Sequence, residues 1–121
     1  MDMTLQRRIY EWGQRTFNKP STGGTATRAN IEMAELMDLI MQLQELKGRQ
    51  PFITQQAFSL ECNRLCVAII EECADCVVVL AQVAHSVDGD LDAAVRAKVE
   101  VNEKRSWEKL EKGRYQHVEG T

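Results

Sequence analysis

Apolar residues recur along this chain at spacings of three and four, the period of an amphipathic α-helix. In the first such stretch, Leu5, Ile9 and Trp12 fall on one face. The whole pattern predicts four helices with these approximate bounds: 4–16, 26–47, 54–86 and 91–112. The polar residues 113–121 that follow are expected to fray.

Glycine and proline mark the breaks between these helices. The clearest break holds Pro20 and a glycine pair, and we expect Thr25 or Thr27 to cap the helix after it. The later breaks contain Gly48 with Pro51, and the tripeptide Asp88-Gly89-Asp90.

The third stretch, 54–86, would be about 50 Å long as one straight helix. That length is too great for a lone domain of this size, so the stretch bends, breaks into two helices or projects into a partner chain. Its run Cys76–Leu80 is apolar all round, which predicts deep burial. We therefore expect a homodimer or a homotetramer.

Composition supports one helical domain. The chain has 121 residues, 44% of them hydrophobic and 27% charged, with only 2 prolines. Frequent Ala, Leu, Glu, Gln, Lys and Met favour helices. We expect an all-α protein, a four- to five-helix bundle that forms a single domain over residues 1–121.

Charge and hydropathy narrow the possible partners. The net charge is −3, whereas a nucleic-acid binder usually carries a basic surplus, so no nucleic-acid partner is expected. No apolar run is long enough to cross a membrane. The N-terminus lacks an apolar signal core, so a cytoplasmic protein with no membrane partner is expected.

Four cysteines suggest a zinc site at first sight, but their spacing argues against one. If residues 62 to 76 form one helix, the outer pair lies about 21 Å apart, too far for one zinc ion. We interpret the cysteines as small buried apolar residues in a reducing compartment. They are Cys62, Cys66, Cys73 and Cys76.

Two acidic pairs are the strongest candidates for chemistry. Glu32 with Glu35, and Glu72 with Asp75, are each three residues apart, which places each pair on one helix face. If the two faces meet, the converging carboxylates need a cation between them, and oxygen ligands suit Mg²⁺ or Mn²⁺. The alternative is solvated surface charge.

The fourth helix carries a stripe that changes from apolar to polar. Leu91 and Val95 begin it, and it continues as Lys98, Asn102 and Arg105 at steps of three and four. Lys and Arg are natural ligands of phosphate oxygens, and Asn can bond a phosphate, a sugar or a base. Solvated charge is again the alternative.

Other candidate substrate contacts lie in the first third of the chain. Trp12 could stack on a base, although core packing is its more usual role. Lys19 and Arg28 flank the paired glycines and could reach phosphates. Phe17 and Trp107 are further stacking candidates.

Three motifs in order resemble the MazG-like all-α nucleoside triphosphate pyrophosphohydrolases. Residues 31–36, Ile-Glu-Met-Ala-Glu-Leu, resemble the first motif, Glu-Glu-x-x-Glu. Residues 71–76, Glu-Glu-Cys-Ala-Asp-Cys, resemble the second, Glu-x-x-Asp, and Lys98, Asn102 and Arg105 resemble the basic pattern of the last helix. The resemblance covers roughly residues 4–110 and includes small stand-alone, phage-type members.

The resemblance implies a reaction in which a nucleoside triphosphate and water give the monophosphate and pyrophosphate. It implies Mg²⁺, with Mn²⁺ as a substitute, and purine deoxynucleotides such as dGTP or dATP as substrates. It also implies an oligomer whose active site is completed across chains. By it, the metal ligands and catalytic residues are Glu32, Glu35, Glu72 and Asp75, and the phosphate or sugar contacts are Lys98, Asn102 and Arg105.

The chain departs from the family pattern in two places. Ile31 stands where the first motif has its first Glu, and Glu71 or Asp38 are candidate replacements. The interval between the motifs is longer than typical, with an insertion around 52–63.

The Ile31 departure motivates an alternative function, a catalytically inactive helical interaction or regulatory module. A di-iron carboxylate bundle is disfavoured, since neither His85 nor His117 has a Glu three residues before it.

Overall fold

A computed structural model describes all 121 residues as four helices and a small hairpin. A short 3₁₀ turn, Gln50–Phe52, joins the second and third helices. The all-α class is confirmed, with the hairpin as its one departure. The helices are α1 (Met3–Thr16), α2 (Thr22–Arg49), α3 (Gln55–Ser86) and α4 (Leu91–Lys104), and the hairpin strands are β1 (Trp107–Lys109) and β2 (Tyr115–His117).

Each helix begins at a side-chain cap, because a short polar side chain accepts from the third backbone N–H after it. The caps are Asp2, Ser21, Thr54 and Asp90, with N···O distances of 2.8, 3.0, 3.1 and 3.1 Å.

The start of α2 corrects the sequence prediction. Ser21 is the cap, not Thr25 or Thr27, and Gly23 and Gly24 lie in the first turn of the helix. A Cβ on Gly24 would lie 3.2 Å from the Ser21 hydroxyl, so a small residue suits this position. The loop before α2 is therefore shorter than its glycines suggested.

The helix ends also differ from the prediction. α2 continues past Gly48 to Arg49, and Pro51 enters the following 3₁₀ turn. α4 was expected to reach Lys112 but ends at Lys104, because Arg105 adopts an extended conformation with ψ of 150°. The indole N–H of Trp107 donates to the carbonyl of Asn102, which satisfies an acceptor in the last turn.

The tail does not follow the expectation of fraying. β2 pairs with β1 in antiparallel register, with Trp107 opposite His117 and Lys109 opposite Tyr115. The strands and the turn between them are almost entirely exposed. The hairpin therefore extends the molecule without enlarging its core.

α3 is one uninterrupted helix of 32 residues, and the other helices pack on parts of it. α2 lies antiparallel to it, since Thr22 bonds Ser86 at 3.0 Å and Arg28 bonds Gln82 at 3.2 Å. α1 covers the C-terminal part of α3. A Cβ on Gly13 would lie 2.4 Å from the Gln82 amide nitrogen, so a larger residue at this position would require the Gln82 side chain to move.

The core of the single chain is small. Only 9 of the 121 residues are buried, and α4 contributes none of them. The expected deep burial of Cys76–Leu80 is wrong for the isolated chain, because Val77 and Leu80 are each 46% exposed. Much of the apolar surface of this chain is thus left uncovered by its own helices.

Gln6 fixes the turn between α3 and α4 against α1. Its side chain, 1% exposed, donates to the Gly89 carbonyl at 2.7 Å and accepts from the Leu91 N–H at 2.9 Å. Its amide nitrogen also lies 3.2 Å from Nδ1 of His85.

None of the four helices combines the length and apolar character needed to cross a membrane.

Candidate metal centre

Three of the four predicted carboxylates converge where α2 faces α3. Glu32 and Glu35 lie one turn apart on α2, and Glu72 meets them from α3. One carboxylate oxygen from each lies within 4.8 Å of the others. Glu32 and Glu72 are half-buried, while Glu35 is exposed, so the group opens to solvent on one side. We call these three residues the carboxylate cluster.

Within the carboxylate cluster, the neighbouring charges act most clearly on the pKa of Glu72. A hydrogen bond with Glu32, then burial, then the negative charges of Glu32 and Glu35 raise the pKa of Glu72 to about 7. One of its carboxylate oxygens is buried and has no hydrogen-bond partner. A buried acceptor without a partner is costly. A divalent cation would supply the partner and offset the repulsion, so these residues fit such an ion.

A groove runs between α1 and α3. It has a volume of about 500 Å³, and Trp12 and Asp75 lie on its walls. Trp12 is 41% exposed and meets Phe17 edge-on, with ring centroids 5.5 Å apart. The other lining residues are Leu5, Arg8, Ile9, Arg15 and Val78.

No protein-family model matches the chain. Its sequence is 28% identical over 114 residues to a dATP/dGTP diphosphohydrolase of Salmonella phage PMBT28. That match covers 94% of this chain but 30% of the relative, so the chain spans less than a third of the relative's length.

A solved structure resembles the chain over nearly its whole length. It is a cyanophage S-2L MazG-like pyrophosphohydrolase bound to dGDP and three catalytic Mn²⁺ ions per active site. The TM-score is 0.60 at 22% identity, and the match covers 95% of this chain and 94% of the other. The chain has a MazG-like fold.

Within this MazG-like fold, Asp75 lies apart from the carboxylate cluster. It is exposed, lines the α1–α3 groove and is not among the carboxylates that lie within 4.8 Å of one another. Glu72 and Asp75 share a face by spacing, but only Glu72 joins the two carboxylates of α2. The role of Asp75 as a metal ligand stays a prediction.

The phosphate and sugar contacts predicted on α4 lie outside the group of helices α1, α2 and α3. Lys98 is exposed and forms no ion pair. Asn102 and Arg105 are half-buried, with the guanidinium 3.5 Å from the Asn102 side-chain oxygen. Nε of Arg105 is buried without a partner. No hydrogen bond or ion pair joins these residues to the carboxylate cluster.

The remaining predicted contacts surround the connection from α1 to α2. Lys19 is exposed, with a left-handed φ of 53°. Arg28 stacks over the Phe17 ring at 4.1 Å and donates to Gln82. Because Arg28 is held by both contacts, it supports the aromatic pair of Phe17 and Trp12.

Neither candidate replacement for the missing motif glutamate joins the cluster. Ile31 is 55% exposed. Asp38 and Glu71 are exposed and lie outside the group of three carboxylates. Glu71 instead adjoins Val67 and Ile70 on another face of α3.

Sequence reasoning missed the arginines of the α1–α3 groove. Arg8, Trp12 and Arg15 follow one another at steps of four and three, the same helical signal that marked the apolar residues of α1. This spacing is visible in the sequence, but only the apolar residues of α1 were assigned to its inward face.

The cysteines form no metal site. Cys76 is buried, as expected, whereas Cys66 and Cys73 are exposed and Cys62 is half-buried. Burial of all four is therefore wrong for the isolated chain. The only group of three or more possible metal ligands in the structure is the carboxylate cluster.

Proposed function

We propose that this chain is a metal-dependent pyrophosphohydrolase that converts nucleoside triphosphates into the monophosphate and pyrophosphate. The observation that carries the proposal is the carboxylate cluster, with its buried, unpartnered oxygen on Glu72. Oxygen donors of this kind suit Mg²⁺ or Mn²⁺. The Mn²⁺ ions and dGDP described for the cyanophage protein support the same assignment.

In this proposal Glu32, Glu35 and Glu72 hold the cations, and Asp75 adds a fourth carboxylate from the next turn of α3. Bound cations would offset phosphate charge and lower the pKa of an attacking water. Glu72 would hold such a cation in its charged form, because a cation favours the carboxylate over the protonated acid.

The substrate base is proposed to stack on Trp12, whose ring is accessible in the α1–α3 groove. Arg8 and Arg15 in that groove favour an anionic ligand. Lys19, Lys98, Asn102 and Arg105 are proposed as further contacts to phosphate or sugar. Because no hydrogen bond or ion pair joins these residues to the carboxylate cluster, they are proposed to act when α4 of this chain or of a neighbouring subunit closes over the site.

We further propose purine deoxynucleotides, dGTP or dATP, as substrates in the cytoplasm. The activity named for the phage relative, on dATP and dGTP, supports this choice. That relative is more than three times as long as this chain, so the preference has to be measured on the chain itself.

The test is a panel of the four deoxynucleotides and four ribonucleotides, each with Mg²⁺ or Mn²⁺. Pyrophosphate release and the nucleotide product are measured together, with a chelated sample as the control. We expect one pyrophosphate per monophosphate, fastest with dGTP or dATP. No release from any nucleotide with either metal would contradict the proposal.

One observation favours a second function, a helical interaction module without catalysis. Ile31 places an exposed apolar side chain where the family motif has its first glutamate. An inactive chain that still binds Mn²⁺ at the carboxylate cluster would support this alternative.

A further inference from the structure

A series of side-chain contacts connects the buried side of α3 to the accessible ring of Trp12. Gln82 of α3 is 3% exposed, and its side-chain oxygen accepts from Arg28 of α2 at 3.2 Å. The Arg28 guanidinium lies 4.1 Å from the centre of the Phe17 ring, and Phe17 in turn meets Trp12 edge-on at 5.5 Å between ring centroids. The wall of the α1–α3 groove is therefore linked to a residue that solvent hardly reaches.

The buried end of this series is held in place by its neighbours. A Cβ on Gly13 would lie 2.4 Å from the Gln82 nitrogen, so α1 is in direct contact with this amide. The bond to Arg28 assigns the amide oxygen, because a guanidinium only donates. Gln82 thus presents a fixed acceptor to Arg28.

Arg28 is unusual among the basic residues because it is half-buried and forms no ion pair. Its charge lies over the face of Phe17, which attracts a guanidinium by a cation–π interaction and by stacking. Glu32 lies one turn further along α2, but it belongs to the carboxylate cluster. The contacts of Arg28 therefore orient an aromatic ring and do not neutralise a charge.

We infer that Arg28 is a positioning residue that fixes the Trp12 ring for the substrate base. It acts through Phe17 and is anchored by Gln82. The inference rests on the proposed function, in which the base stacks on Trp12. Because Trp12 is 41% exposed, the core alone does not hold its ring. A ring that is fixed before the nucleotide binds loses less freedom on binding, so the affinity for the nucleotide is higher.

The first test measures binding of dGMP, in Mg²⁺, by the fluorescence of Trp12. The chain has 2 tryptophans, so a Trp107→Phe background leaves Trp12 as the reporter. Arg28→Met removes the guanidinium, and Arg49→Met makes the same change at an exposed position of α2. We expect the Kd of dGMP to rise about 3- to 10-fold in Arg28→Met and to stay within about twofold in Arg49→Met. Equal affinities in the two variants would overturn the inference.

The second test asks whether Gln82 acts through Arg28, in the same background. Gln82→Glu keeps an oxygen acceptor for the guanidinium, whereas Gln82→Met removes it. We expect Gln82→Met to weaken dGMP binding and Gln82→Glu to restore it. The double variant Gln82→Met with Arg28→Met should bind no more weakly than Arg28→Met alone, because both changes remove one contact. Additive losses would overturn the role of Gln82 as the anchor, and far-UV circular dichroism checks that each variant is folded.

Inorganic pyrophosphate separates this role from a direct phosphate contact. Pyrophosphate has no base, so its Kd in Mg²⁺, measured by calorimetry, should stay within about twofold in Arg28→Met. A rise equal to that for dGMP would overturn the inference, because Arg28 would then act on the phosphates.

Failure of the inference and failure of the proposed function give different results. If Trp12 fluorescence does not respond to dGMP while the chain releases pyrophosphate from nucleotides, the inference is overturned and the activity stands. If the chain releases no pyrophosphate but dGMP binding depends on Arg28 as expected, the inference is supported and the activity is contradicted.

Discussion

Glu72 is the residue on which the proposed chemistry depends most. It is the only member of the carboxylate cluster supplied by α3, and one of its oxygens is buried without a partner. Without a cation it faces two other carboxylates, and for this reason its pKa rises to about 7. A cation bound at the cluster would lower this pKa, because it favours the charged carboxylate.

We expect Glu72→Gln to abolish turnover while the helical fold survives. The amide keeps the shape of the side chain but removes a charged oxygen ligand, so we expect a loss of about 100-fold or more in kcat. Steady-state kinetics with dGTP and Mn²⁺ measure the loss, and far-UV circular dichroism checks the fold. A variant that loses helicity would show that Glu72 has a structural role instead.

The raised pKa of Glu72 also predicts how stability depends on pH in the absence of metal. Below about 4.5, its ordinary value, Glu72 is protonated in both the folded and unfolded states. Between 4.5 and about 7 the folded state binds more protons than the unfolded state, so the free energy of unfolding falls as pH rises.

Thermal melts in chelator at pH 4.5 to 7 measure this contribution. Other carboxylates titrate over the same range, so the difference between wild type and Glu72→Gln isolates it. We expect the wild type to lose stability relative to the variant as pH rises. A constant difference would mean that folding does not change the pKa of Glu72.

At the scale of elements, polar contacts near the start of α1 join this helix to the turn before α4. The Gln6 side chain on α1 bonds the Gly89 carbonyl and the Leu91 N–H. The N-terminal ammonium adds an ion pair with Asp92, at 2.8 Å. These contacts tie the start of α1 to the start of α4 and so orient α1 along α3.

We expect Gln6→Ala to destabilise the fold by about 1–3 kcal/mol, because it leaves the Gly89 carbonyl and the Leu91 N–H without partners in a region that water reaches poorly. Gln56→Ala is the matched control, because Gln56 is also a helical glutamine but is exposed. This variant should change the free energy of unfolding by less than about 0.5 kcal/mol. Urea unfolding followed by circular dichroism compares the two. Equal effects would mean that the Gln6 bonds add nothing to stability.

For the whole molecule, a small core makes stability sensitive to ligands. With 9 buried residues in 121, the single chain has little apolar surface in reserve. Binding of a cation to the folded state alone would therefore have a large relative effect.

We expect Mn²⁺ to raise the melting temperature by about 10 °C at a free concentration near 100 times its Kd, which corresponds to about 2.7 kcal/mol. Differential scanning fluorimetry with a Mn²⁺ titration measures the shift, and Ca²⁺ at equal ionic strength is a charge control. The shift should be absent in Glu72→Gln. A shift that persists in that variant would place the stabilising ion elsewhere.

Apolar periodicity and polar caps in the sequence predicted the bounds of two helices well. The bounds of α1 and α3 follow from apolar periodicity and from polar caps such as Thr54. The same reasoning failed at Gly48, where a glycine remains helical, and beyond Arg105, where the chain turns into a hairpin. Composition alone does not distinguish a helical glycine from a terminal one.

The sequence by itself determined the four helices and the pairs of carboxylates, because both depend on spacing along one chain. Only the tertiary structure decided which carboxylates meet. Packing of α2 on α3 brings Glu72 to Glu32 and Glu35 and leaves Asp75 on the α1–α3 groove. Spacing fixes the face on which a side chain lies, but the helix that covers that face decides what the side chain meets.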